Sequence, residues 1–206
     1  MTDFVFKRTD EKVIEQAIAV DPLTAFKKFV APGLSDPRWI EDSSKITDTD
    51  MSKREWAGLV VHCFSLMAIT KTNNMFIGKG FNGGDGYIVR IYEGKKAQND
   101  FVYIEQTLAT HVSNKGKSVA DAIHDRIKAK SSKGSNYSEN THLIVWCNMD
   151  GDMDVDERYG SVKQGAFNIV NIIAFHSPTR RYCSFLFDKD EGLIQEFSID
   201  ERDLLS

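Results

Sequence analysis

Residues 80–90 read GFNGGDGYIVR and hold two signals that meet at Asp85. Glycine adopts positive φ at little cost and an aspartate can hydrogen-bond within its own turn, so the first half is typical of a tight turn. The alternation from Tyr87 to Ile91 is typical of a β-strand. Asp85 is therefore either a turn residue or a carboxylate at the start of a strand, where it could bind a metal ion.

Length and composition favour one globular domain. The chain has 206 residues, of which 41% are hydrophobic and 27% are charged. These fractions are typical of folded proteins and exclude a disordered chain. The net charge is −4, so there is no global basic field, and any site for a polyanion must be local.

The three cysteines predict free thiols in a reducing compartment. Cys63, Cys147 and Cys183 are widely spaced, and no CxxC or Cys/His pairing indicates zinc. The N-terminus lacks the apolar segment of a signal peptide, and no apolar run is long enough to cross a bilayer. We therefore expect a cytoplasmic protein without a membrane partner.

Residues 1–50 predict a helical extension followed by an irregular linker. Apolar residues recur at helical spacing over residues 10–31, and Pro22 suits an early helical position after Asp21. Residues 32–50 hold two of the four prolines together with Asp, Ser and Thr clusters. Such a composition is typical of an irregular connection.

Residues 52–147 predict a core of alternating elements. Ser52 and Glu55 form a capping-box pattern at the start of a helix with a wide apolar face. A helix over residues 118–130 and an uninterrupted apolar strand over residues 143–146 come later. Between them, three runs predict a β-meander: Met75 to Gly78, Tyr87 to Tyr92, and Phe101 to Thr107. The predicted order is α, β, β, β, α, β.

Residues 158–206 predict a C-terminal helix and a closing hairpin. The pattern over residues 159–176 favours a helix, although Phe167 to Phe175 alone could form a strand. Two runs, Tyr182 to Phe187 and Leu193 to Ile199, flank the turn DKDEG. The sequence predicts a single α/β or α+β domain over residues 1–206, built in three layers.

Two carboxylates would lie close together if the meander is antiparallel. Asp85 opens its second strand, and Glu105 lies near the end of the third. Neighbouring strands lie about 5 Å apart, so the two side chains could share one divalent cation or two. Glu55 could reach the same place if its helix crosses the sheet. Such a cluster suits phosphodiester hydrolysis, because Mg²⁺ polarises the phosphate and generates hydroxide.

The element order and these acids resemble the PD-(D/E)XK nuclease, or restriction endonuclease-like, superfamily over roughly residues 52–147. GGDGYIV is similar to its first acidic element, and residues 102–107, VYIEQT, are similar to the strand that usually ends in Glu-x-Lys. The resemblance implies a three-layer domain whose central mixed sheet has helices on both faces. It also implies a nuclease in which Asp85 and Glu105 bind Mg²⁺ or Mn²⁺, with Glu55 as the helix acid.

The sequence departs from the superfamily at Thr107, which stands where lysine is expected. Neither Thr107 nor Gln106 carries the charge that would stabilise negative charge developing on the phosphate. Both are supporting candidates, and the cation could instead come from elsewhere. Its candidate sources are Lys79, Arg90, Lys95 and Lys96. Loss of the cation would leave a catalytically silent binding or assembly protein on the same fold.

Residues 113–135 form a local basic segment with six Lys or Arg against two Asp. If nucleic acid is the partner, with DNA favoured over RNA, we expect Arg126, Lys128 and Lys130 to contact phosphates. The ordinary alternative is a helix face that is exposed to solvent and binds nothing. The sequence also leaves open whether the protein forms a homodimer.

The three acids also have ordinary structural interpretations. Asp85 is equally suited to a hairpin turn, and Glu105 to the solvent face of a strand. Glu55 is suited to the capping box alone.

Overall fold

The computed structural model describes residues 7–8, 19–36, 38–46, 51–80, 85–91, 100–110, 115–149 and 154–206. Much of the helix predicted over residues 10–31 lies outside the described residues, as do Lys95 and Lys96. The chain divides into two compact units, Met1–Ile104 with Leu205 and Glu105–Leu204 with Ser206. Each unit is described by itself, and the single domain over residues 1–206 stays a prediction.

Helices of the first unit begin at capping residues that the sequence predicts. Helix α1, Pro22–Ala25, has its proline at the first position and follows Asp21, whose carboxylate accepts the Thr24 N–H at 2.9 Å. It continues as a π-helical turn and a 3-10 turn through Gly33. Helix α2, Lys53–Thr70, begins after Ser52, and the Trp56 ring stacks on Phe29 at a centroid distance of 4.5 Å.

The sheet of the first unit contains the predicted antiparallel meander, formed by β2, Met75–Lys79; β3, Gly86–Arg90; and β4, Asp100–Thr110, as far as Ile104. A short strand that the sequence did not predict, β1, Lys7–Arg8, pairs antiparallel with β4. Ile77 pairs with Ile88, and Gly86 pairs with Ile104. Tyr87 and Phe101 stack at a centroid distance of 5.1 Å, and this contact places aromatic surface in the core of the unit.

The second unit combines a mixed sheet with helices. Its strands are the rest of β4; β5, Thr141–Asn148; β6, Ile169–His176; β7, Arg181–Asp188; and β8, Gly192–Asp200. Its helices are α3, Val119–Ser131; α4, Ser135–Ser138; α5, Val155–Gln164; and α6, Glu201–Leu205, as far as Leu204. Strands β5 and β6 are parallel, whereas β6, β7 and β8 pair antiparallel. The fold class is α+β, and the closing hairpin is confirmed.

Alternate residues of β5 separate two faces of this sheet. Leu143 and Val145 pack with Ile123 and Ile127 of α3 in one apolar cluster. Trp146 points to the other face, where its ring meets Tyr182 edge-on at a centroid distance of 6.4 Å. The strand is buried along almost its whole length, as its uninterrupted apolar sequence predicts. No helix in the described ranges is long and apolar enough to traverse a bilayer.

The helix predicted over residues 159–176 is wrong in its second half. Helix α5 stops at Gln164, and Gly165 is extended at φ −76° and ψ 173°. β6 then begins at Ile169, as the alternative interpretation of that segment predicts. β-Branched side chains pack well on a pleated sheet and lose rotamer freedom in a helix, so the isoleucine-rich run is stable as a buried strand.

We expect the stability of the protein to fall with pH below about 6.5 because of His142. This side chain is buried, and burial lowers its pKa from 6.5 to about 3. The unfolded chain binds a proton near pH 6.5 and the folded one does not, so this contribution is full above pH 6.5 and is lost as the pH falls towards 3. The loss between pH 7 and pH 5 should be about 2 kcal/mol.

Urea unfolding at pH 7 and pH 5 measures this slope. His142→Gln should reduce the difference between the two pH values, whereas His176→Gln, at an exposed histidine, should leave it unchanged. An equal slope in wild type and His142→Gln would contradict the assignment.

Candidate functional site

A buried ion pair joins strand β4 to helix α3 in the second unit. Lys130 Nζ donates to Glu105 Oε2 at 2.7 Å, and the two side chains are only 19% and 5% exposed. Neither charge is well solvated, so each one depends on the other for its stability. Glu105 is thus a buried, paired carboxylate, and the interpretation as a solvent-facing residue is wrong.

Strand alternation decides which neighbours share a face with this ion pair. Successive side chains point to opposite faces, so Thr107 lies on the face of Glu105 and Gln106 on the other. Gln106 is buried there, and its Oε1 accepts the indole N–H of Trp146 at 3.2 Å. Thr107, which is half-buried, is therefore the neighbour placed beside Glu105, and Lys130 supplies a cation on that face.

The three predicted phosphate-binding residues do not share one face of α3. Arg126 and Lys130 are one turn apart, and the Arg126 Nε is buried without a hydrogen-bond partner in the part of the chain that the structure describes. Lys128 is exposed and lies instead beside α5, near Gln164. Lys130 is largely covered by its contact with Glu105. Helix α3 thus presents cations in two directions.

Asp85 lies in the first unit, directly before β3. It is half-buried, and its backbone N–H donates to the carbonyl of Ile104 at 3.0 Å. Burial lowers the pKa of the neighbouring Arg54 guanidinium, an effect that the charges of Glu55 and Asp85 partly offset. Asp85 therefore lies in a partly buried, charged environment at the predicted strand start. Its sharing of a cation with Glu105 stays a prediction.

Glu55 completes the capping box that the sequence predicts. Its carboxylate accepts the Ser52 N–H at 2.6 Å and the Ser52 hydroxyl at 2.9 Å, and Lys45 Nζ donates to both of its oxygens. Burial alone would raise the pKa of this carboxyl, but the hydrogen bonds from Lys45 and Ser52 hold it below its usual value. These contacts hold the Glu55 carboxylate at the start of α2.

Two of the other cations considered for the lysine position, Arg90 and Lys79, belong to the first unit, and Lys95 and Lys96 lie outside the described residues. Arg90 donates to Asp100 across the β3–β4 pair, with the Nε–Oδ2 distance 2.9 Å. Lys79 is exposed at the end of β2. Sequence reasoning missed Lys130 as a partner of Glu105, because the two residues are 25 positions apart. One signal was available: Lys130 follows Ile127 by three positions, on the flank of the apolar stripe that faces the core.

Carboxylate oxygens, such as those of Asp85 and Glu105, are of the kind that a hard divalent cation prefers. Magnesium in proteins usually binds one or two carboxylates and keeps its other positions for water and phosphate oxygens. Within the described ranges, no group of three or more His, Cys, Asp or Glu side chains is placed to hold a metal ion. Comparison of the chain with protein-family models and with curated proteins finds no match.

Breaking the buried ion pair should destabilise the protein more than breaking an exposed one. Lys130→Ala leaves the Glu105 carboxylate buried without its cation, which should cost about 2–4 kcal/mol. The matched control is Lys117→Ala, because Lys117 pairs with Asp125 on the surface of the same unit, where both side chains are nearly half exposed. Urea unfolding should show little change for the control. Equal losses in the two variants would contradict the buried role of Lys130.

Removing the cap of α2 should cost more than removing the cap of α3. Ser52 and Ser118 are both N-caps, but only Ser52 also donates to a buried carboxylate. Ser52→Ala should lower the free energy of unfolding by about 2 kcal/mol and Ser118→Ala by about 1 kcal/mol or less. Thermal and urea unfolding measure both. A smaller loss for Ser52→Ala would show that the capping box is not what holds Glu55.

Proposed function

We propose that this protein is a metal-dependent nuclease of the PD-(D/E)XK type, in which Lys130 of α3 takes the place of the lysine absent at position 107. The observation that carries the proposal is the 2.7 Å contact between Lys130 Nζ and Glu105 Oε2. The substrate is a phosphodiester of nucleic acid, with DNA favoured over RNA. The restriction endonuclease-like three-layer arrangement, with a mixed sheet between helices, belongs to the same proposal.

The order of the elements supports this assignment. Helix α2, strands β2 to β4, helix α3 and strand β5 follow one another in the order α, β, β, β, α, β. Asp85 lies directly before β3, and Glu105 lies within β4. Resemblance of a fold does not determine the reaction that a protein catalyses. The charged groups around Glu105 are therefore the main support for the nuclease proposal.

Lys130 supports the proposal through its charge and its position. Hydrolysis of a phosphodiester places growing negative charge on the phosphate oxygens, and a fixed cation in a poorly solvated place stabilises that charge strongly. Lys130 is held beside Glu105 from the helix, so the strand itself needs no lysine at position 107. Thr107 offers a hydroxyl on the same face, and Arg126 a guanidinium one helical turn away.

The metal would be held by the carboxylate oxygens of Asp85 and Glu105. Bound there, Mg²⁺ or Mn²⁺ would polarise the phosphate and lower the pKa of a coordinated water. Glu105 could bind the metal ion and Lys130 at the same time, because Lys130 donates to one of its two carboxylate oxygens. Gln106, bonded to Trp146 on the other face, orients β4 and takes no part in the chemistry.

The second candidate is a catalytically silent protein of the same fold that binds or assembles. One observation favours it: the Glu55 carboxylate accepts hydrogen bonds from Ser52 and Lys45 at the start of α2, and this leaves Asp85 and Glu105 as the remaining acids of the proposed site. A silent protein would keep the Glu105–Lys130 ion pair only for stability.

A cleavage assay with variants at three positions tests the proposal. The substrates are single- and double-stranded DNA and RNA, each with Mg²⁺ and with Mn²⁺. Wild type should cleave, and Asp85→Asn and Glu105→Gln should not. Lys130→Gln keeps a donor for Glu105 but removes the charge, and it should slow cleavage by about 10²- to 10³-fold. The double variant Lys130→Gln with Thr107→Lys should recover part of that loss.

The pattern of activities separates the two candidates. Activity of Thr107→Lys with an inactive wild type would identify a silent scaffold that lacks only its lysine. Wild-type cleavage that survives Asp85→Asn would belong to another site or to a contaminant. Circular dichroism spectra of all variants check that each is folded, and Lys117→Gln serves as the control for charge loss outside the site.

A further inference from the structure

A small groove lies between helices α3 and α5 of the second unit. Its volume is about 150 Å³. Gly165 forms part of its wall, and a Cβ at that position would lie only 2.8 Å from Ile127 Cγ2, so the helices approach closely there. The side chains that line it are His124, Ile127, Lys128, Ser131, Ser161 and Gln164.

The polar groups of the groove are mostly hydrogen-bond donors. Lys128 offers an ammonium and Gln164 an amide NH₂. Ser131 Oγ accepts the Ala166 N–H at 2.9 Å, so its hydroxyl hydrogen is left to donate. The Ser161 hydroxyl donates to the Glu157 carbonyl at the long distance of 3.5 Å. Asp125 of α3 does not line the groove; it pairs with Lys117, which lowers the pKa of its carboxyl, and the nearby charges of His124 and Lys128 lower that pKa further.

We propose that this groove binds a phosphate group of the nucleic-acid backbone, away from the phosphodiester that is cut. This inference rests on the proposed function, because the phosphate group would belong to the nucleic-acid substrate. A donor-rich pocket with a lysine and no lining carboxylate complements a tetrahedral oxyanion, and its size admits one phosphate. Lys128 then holds the substrate on one side of α3, while Arg126 and Lys130 serve the other.

A larger cleft elsewhere in the second unit is less suited to phosphate. It has a volume of about 510 Å³ and contains Arg180, Arg181 and Arg202. Arg180 is bonded to Glu201, and Arg202 is bonded to Asp200, which itself lines the cleft. Two of the three guanidinium groups are therefore neutralised. Among the described residues that line the groove between α3 and α5 there is no carboxylate, and the neighbouring Asp125 is paired with Lys117 outside it.

Binding experiments with two probes test the inference. Inorganic phosphate and a short single-stranded oligodeoxynucleotide are titrated separately, without divalent metal, and the side-chain NMR signals of His124 and Gln164 report occupancy. Both probes should shift these signals. Lys128→Glu should weaken oligonucleotide binding by about tenfold and lower the slope of log K against log salt by about one. Lys163→Glu is the matched control, because Lys163 is exposed on α5 and does not line the groove.

The outcomes distinguish this inference from the proposed function. Signal shifts with inorganic phosphate alone would overturn the nucleic-acid assignment, and shifts with neither probe would overturn the site itself. Equal binding by Lys128→Glu and Lys163→Glu would also overturn it. Failure of the proposed function would appear separately, as absence of cleavage in wild type while the oligonucleotide still shifts His124 and Gln164.

Discussion

The contact between Glu105 and Lys130 is the constraint around which the second unit is organised. A carboxylate that is almost wholly buried in a strand requires a cation close by, and α3 brings that cation to within 2.7 Å. The same helix must also pack Ile123 and Ile127 against β5. These two requirements together set the rotation of α3 about its axis. The directions in which its other cations point follow from that rotation.

Local patterns predicted most elements because their causes are local. Ser52 and Glu55 lie three positions apart, and the capping box forms wherever a helix begins there. The alternation around Tyr87 depends likewise on near neighbours, whereas the turn predicted over residues 81–84 lies outside the described residues. The segment after Gly165 differs, because its apolar residues suit a buried strand as well as a helix. Pairing with β5 and β7 decides between the two, and that pairing is not visible in the segment itself.

The candidate site was only partly predictable for a related reason. Glu105 was identified from its place in a strand, but its partner comes from a helix 25 residues later. Sequence reasoning grouped Arg126, Lys128 and Lys130 as phosphate contacts because they are close together in one basic segment. A helix turns about 100° per residue, so residues two apart lie on nearly opposite sides. Helical spacing separates Lys128 from the other two, and packing then determines which side meets Glu105.

The acidic net charge of the chain does not oppose binding of a polyanion at α3. Salt screens exposed charges beyond roughly 8 Å at physiological ionic strength, so a phosphate group senses mainly the nearest side chains. Around α3 these are lysines, an arginine and serine hydroxyls, with two acids: Asp125 is paired with Lys117, and Asp121 accepts a hydrogen bond from the Ser118 hydroxyl at the start of the helix. Burial of Lys130 reduces the screening further, which strengthens its effect on any charge beside Glu105. The electrostatics of this helix are therefore set by local placement, and the total of −4 has little bearing on them.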